Sequence, residues 1–208
     1  MTIIDDGESL GAALSAPRLR PYLARHAGDL EAAWRTYSWN LQACRAFYPL
    51  LHFAEIALRN AVHSELSSRF DRSDWWTTAP LTAHGNHLVA HAREKAGRTK
   101  PSPNTDDIVA TLNLGFWVSL VSSAYDRTLW VRGLHQAFPH YRGRRDALHA
   151  DLRNVLELRN RVMHHEPIYQ RDLATDRDAI YRLYTWLSNG LAAHVRAFDH
   201  VPNLLEQK

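Results

Sequence analysis

Apolar residues recur at every third or fourth position along most of this chain, and that spacing predicts helices almost throughout. The clearest stripe begins after Gly28, where Asp29 is placed to cap a helix. Leu30, Ala33, Trp34, Tyr37, Leu41, Cys44, Phe47 and Tyr48 then share one amphipathic face. Pro49 is expected to kink or break that helix, because it lacks an N–H and its ring crowds the carbonyl four residues back. A second apolar helix follows, through Leu50, Phe53, Ala54, Ala57, Leu58, Ala61, Val62 and Leu66. Upstream, residues 8–24 read as a short helix interrupted by Pro17 and Pro21.

Beyond Asp71 the pattern shortens. Asp71 to Pro80 reads as a loop packed by Trp75 and Trp76, and Leu81 to Ala96 as a weaker, histidine-rich helix. GRTKPSPN (97–104) has two prolines, a glycine and no apolar residue, so it is a linker, after which Asn104 or Thr105 caps a short helix. Leu114 to Ser123 and Leu129 to Phe138 read as short helical pieces wrapped in aromatics. Gly143 to His165 is expected as the longest uninterrupted helix, stopped by Pro167, and Ala174 to Phe198 as the last. Neither strand alternation nor a solenoid period is visible. The expected fold is all-α, an antiparallel helical bundle in one domain over 1–208, with the 97–104 linker inside it.

Composition narrows the classes. At 45% apolar and 23% charged, the chain can bury a core. Its single cysteine, Cys44, excludes a disulfide framework and any cysteine-rich zinc module. The start, MTIIDDGESL, is acidic and does not read as a signal peptide. The apolar run Leu112 to Tyr125 is too short to span a bilayer. No membrane partner and a cytoplasmic location are therefore expected. Net charge is +3, but arginine supplies 22 of the 25 cationic side chains, and its planar fork suits phosphate. Eight arginines between Arg127 and Arg161 face only Asp146, Asp151 and Glu157. Arg142, Arg144 and Arg145 stand at a helix N-terminus, where they oppose the dipole, so together with Arg161 they are candidates for holding an RNA backbone; a merely solvated patch is the alternative. Phosphate-loop, dinucleotide, HExxH, CxxC and GxSxG motifs are all missing. His52 with Glu55, and His164-His165-Glu166, are the only ligand-like clusters, and neither has the spacing of a metal site.

The informative stretch is DLRNVLELRNRVMHHEPIY, residues 151–169. Its apolar seam runs Leu148, Leu152, Val155, position 159, Val162, and position 159 is arginine. An arginine on a buried seam needs a carboxylate, an interface or a ligand. His164 and His165 fall in the last turn, where the negative end of the helix dipole favours the imidazolium form by about 0.3–1 kcal/mol. Such a histidine can transfer protons near neutral pH, and an arginine beside it can neutralise a phosphate. RNA supplies its own nucleophile, the 2′-hydroxyl. The plainer alternative is a helix C-cap in which both histidines bond the last carbonyls.

Arg159-Asn160-Arg161-Val162-Met163-His164 fits the R-x4-6-H motif of HEPN ribonuclease domains. LRNRVMHHEPI resembles the matching segment of Abi-like (abortive-infection) proteins; EIALRN (55–60) and LGFWVSL (114–120) resemble two further segments of that family, in the same order. The resemblance spans about residues 28–197, leaving 1–27 as a short helical extension. It implies a HEPN-like bundle that dimerises to join two motifs in one cleft, and a metal-independent endoribonuclease toxin of phage defence with no cofactor. Arg159 and His164 would be catalytic and Asn160 supporting, with His165 and Glu166 as further members of the family string in a supporting place. RNA would be the substrate, a homodimer the active form, and an antitoxin or phage-derived trigger a further partner. The competing reading is a catalytically silent HEPN-like module that binds RNA, nucleotide or a protein through the same cleft.

LRNAVH (58–63) echoes LRNRVMH (158–164), with Arg59 and Asn60 answering Arg159 and Asn160. Glu55 and Arg59 have the favourable order for a helix salt bridge. Either they belong to the cleft, where Glu55 orients a catalytic arginine, or they form a structural ion pair between helices. Trp75, Trp76, Phe116, Trp117 and Trp130 are suited to base stacking, but their apolar neighbours favour the core.

Overall fold

The computed structural model describes residues 14–206; the start MTIIDDGESL, and the part of the expected 8–24 helix before residue 14, lie outside them. Within the described residues the chain is all-α, with no strand. Nine α-helices follow one another: α1 Ala16–Arg25, α2 Leu30–Phe70, α3 Ala83–Thr99, α4 Thr105–Thr111, α5 Leu114–Ser119, α6 Arg145–Met163, α7 Leu173–Leu187, α8 Leu191–Val195 and α9 Val201–Leu205.

The 41-residue α2 organises the bundle, with α1, α5, α6, α7 and α9 packed around it. Asp29 caps it, its side chain accepting from the Ala32 N–H at 3.0 Å. Pro49 does not end this helix, contrary to the sequence expectation. A proline inside a helix costs about 3 kcal/mol. Here Ala46, Phe47, Leu50, Leu51, Ala54 and Leu58 are all buried around it, and fully burying one Leu or Phe contributes about 1.5–3 kcal/mol. Packing outweighs the local defect.

Two further boundaries differ. α6 is not the longest helix, and the expected final helix is divided into α7, α8, a 3₁₀ turn at Arg196–Phe198 and α9. Ser188-Asn189-Gly190 interrupts it with three polar or small residues. The 97–104 linker is shorter than expected, because α3 continues to Thr99. Asn104 then opens α4 with a capping box, reciprocating with Asp107 at 3.0 and 2.8 Å.

Trp75, Trp76, Phe116 and Trp117 are buried and pack ring against ring, centroids 5.1–6.4 Å apart. They form the core under α2, not a base-stacking surface. Trp130 is half-buried against Phe138 and His135, in a stretch where a π-turn (Asp126–Trp130) and a 3₁₀ turn (Leu134–Ala137) replace the expected α-helix.

Candidate functional site

α6 ends beside the middle of α2, and the residues singled out from the sequence collect there. Arg159 is half-buried and meets Glu55 of α2: Nε donates to Oε2 at 3.0 Å and Nη2 to Oε1 at 3.4 Å. Side-chain exposures of 23% and 22% place the pair between surface and core. The polar residue on the seam thus finds a carboxylate. That carboxylate is not shared with Arg59, as helix spacing suggested; Arg59 instead donates to Asn60 at 3.4 Å. Nη1 of Arg159 donates to Asn160 Oδ1, also at 3.4 Å. Glu55 on α2 and Arg159 and Asn160 on α6 are thus joined where these helices pack, and no side-chain hydrogen bond among the described residues links Arg59 or Asn60 to them.

His164 is the C-cap of α6 and is exposed; its backbone N–H bonds the Asn160 and Val162 carbonyls, while its ring engages nothing among the described residues. The helix-cap alternative holds for its backbone and not for its imidazole. Arg159 and His164 do not touch within one chain.

His165 sits in the left-handed region at φ 60°. Its N–H bonds the Val162 carbonyl at 3.2 Å and the Glu166 N–H bonds the Arg161 carbonyl at 2.8 Å. This is a Schellman turn with histidine where glycine is usual. A non-glycine residue there carries strain of order 1 kcal/mol. Three clamps hold the turn. Arg18 donates to the His165 carbonyl. Arg161 donates to the Pro167 carbonyl at 3.2 Å. Buried Asn40 accepts from the Ile168 and Tyr169 N–H groups at 2.7 and 3.1 Å.

Asn40 was missed from the sequence, although it lies on the seam Ala33, Tyr37, Asn40, Cys44, Phe47. The argument that singles out Arg159 applies to it equally.

The arginines proposed for RNA divide. Arg145 is held by Asp126 and the Val121 carbonyl, both at 2.8 Å, and its side chain is 16% exposed, so it is a packing residue. Arg144 pairs with Asp146 at 2.8 Å and Arg142 bonds the Pro139 and Tyr141 carbonyls; both are exposed. Arg161 lies between Glu157 (3.4 Å) and the exposed Glu166 (3.8 Å). Glu157 also takes Arg171 at 2.9 Å, and Arg171 in turn grips Asp176 at 2.7 Å. Among the described residues, no group of three His, Cys, Asp or Glu side chains could hold a metal, His52 with Glu55 and His164-His165-Glu166 included. Likewise, no helix is long and apolar enough to cross a membrane.

No family model, no curated protein and no solved structure matches this chain.

Proposed function

We propose that this chain is a metal-independent endoribonuclease of the HEPN toxin type, acting as a homodimer in abortive-infection defence. The observation that carries the reading is the end of α6. It combines an arginine braced at 3.0 Å by Glu55 with an exposed histidine whose ring is uncommitted. In the proposed reaction the RNA 2′-oxygen attacks phosphorus and the bond to the 5′-oxygen breaks, leaving a 2′,3′-cyclic phosphate and a 5′-hydroxyl. His164 transfers a proton to or from these oxygens, and Arg159 neutralises charge on the phosphate. Glu55 positions Arg159. Because Arg159 and His164 stand apart in one chain, a second copy supplies the complementary member of each pair.

Incubating purified protein with mixed RNAs in EDTA tests this. Cleavage leaving 2′,3′-cyclic phosphate ends, lost in Arg159→Ala and His164→Ala, is the expected result. A single observation favours the silent-module reading: Glu55 occupies the Nε edge of Arg159 that a phosphate would take. Absence of cleavage, or cleavage that survives both substitutions, would decide for it.

A further inference from the structure

A cleft of about 1010 Å³ opens beside the α6 terminus, between α2 and the start of α9. That is the upper end of the ~300–1,000 Å³ typical of small-molecule sites. Its polar lining is Gln42, Arg45, Tyr48, His165, His200 and Asn203, and its apolar floor includes Pro49, Val162, Met163 and Leu204. Among the described residues no carboxylate lines it. Among the described residues Arg45 has no ion pair or hydrogen bond, and the side chains of Gln42, His165, His200 and Asn203 have no hydrogen-bond partner either. Tyr48 presents an aromatic face, 53% exposed and stacked on His52.

A cation, two imidazoles, two amides and an aromatic ring, with no carboxylate among the described lining residues, suit an anion carried on a flat, hydrogen-bonding body. We propose that this cleft binds a nucleoside monophosphate unit, its phosphate on Arg45 and His200 and its base against Tyr48. The unit is either a free nucleotide or the phosphorylated end of an RNA, and the two share this chemistry. The site lies apart from the Arg159–Glu55 pair and binding to it does not require ribonuclease activity.

The test is titration calorimetry on the full chain with AMP, adenosine, inorganic phosphate and a 5′-phosphorylated trinucleotide. AMP is expected to saturate one site per chain and adenosine to bind at least about tenfold more weakly. That factor is what loss of one charge-assisted contact gives. Arg45→Ala and His200→Ala should each weaken AMP about tenfold or more, while Arg127→Ala, outside the cleft, should not. Both cleft residues are exposed, so their variants should keep the parent circular dichroism. Trinucleotide binding tighter than AMP assigns the site to RNA ends, and the reverse to free nucleotide. No AMP binding below 10 mM, equal affinity for adenosine, or cleft variants that bind like the parent would overturn the proposal. Since no RNA cleavage is read, failure here leaves the ribonuclease reading untouched, and the converse holds too.

Discussion

Two nearly identical segments, LRNAVH on α2 and LRNRVMH on α6, meet opposite fates in this fold. In both, the leucine and valine are buried: Leu58 and Val62 in one, Leu158 and Val162 in the other. The histidines then diverge. His63 lies inside α2, where its Nδ1 accepts from the buried Trp75 Nε1 at 3.1 Å. His164 lies one residue past the end of α6, where its ring meets water. The arginines diverge too, since Arg159 is braced by a carboxylate and Arg59 touches only an amide. The same letters make a core hydrogen bond mid-helix and an open proton-transfer candidate at a helix end. Position along the helix, and not composition, separates the two.

The sharpest way to break the comparison is to remove each histidine in turn. His164→Ala should cost about 10²–10⁴ in RNA-cleavage rate, the range for lost general acid–base catalysis, with an unchanged melting temperature. His63→Ala should do the reverse, costing about 1–3 kcal/mol of stability by orphaning the Trp75 N–H, with the rate per folded molecule intact. Kinetics and thermal melts on both variants check this; equal effects would erase the distinction. Next in size is Asn40→Ala, which strands two buried amides at once. About 2–4 kcal/mol of stability should go, read by urea titration. Cleavage should fall as well if that clamp holds His164 in place.

Glu55→Gln keeps shape and removes charge. For a pair this exposed, about 1 kcal/mol of stability is expected to go, and the cleavage rate should fall about tenfold if Glu55 positions Arg159. His63 also predicts a pH dependence of stability. Burial holds His63 below the usual histidine range, with Arg59 adding to the effect and Asp106 opposing it. Burial, with Arg145 and Arg153 nearby, does the same to His149. The folded state therefore resists protonation while the unfolded chain accepts it. Stability is fully present above pH 6.5 and falls as pH drops below that value. Melting curves at pH 7.5 and 5.0 should show the loss, and His63→Gln should flatten it. The smallest effect is expected at the turn itself: His165→Gly relieves the φ 60° strain and should gain up to about 1 kcal/mol in a thermal melt.

Features fixed by neighbours in sequence were readable before any coordinates. The Asp29 cap, a cap at Asn104 and the all-helical pattern each depend on a few adjacent residues. The helix expected over Gly143 to His165 instead runs from Arg145 to Met163 and ends in the His165 turn before Pro167 is reached. What escaped depends on distant ones. Pro49 reads as a break because its local cost is certain, while the packing that overrides it comes from α6, α7 and α9. Glu55 reads as the partner of Arg59 because the two are four apart; its real partner is 104 residues away. The Asn40 clamp spans 128 residues, and only its place on an apolar seam hints at it.

The length of α2 has a consequence for how the protein is made. At 1.5 Å per residue its 41 residues reach about 60 Å, and they leave the ribosome before the helices that cover them. The first residue of α6 follows the last of α2 by about 75 positions, and α7 and α9 later still. At about 5–20 residues per second, Leu50, Leu58, Val62 and Leu66 wait roughly 4–15 s for these covering helices. For that interval the spine of the bundle is its most adhesive surface. A nascent chain arrested before α6 should therefore recruit chaperones or aggregate, while one arrested after α9 should not.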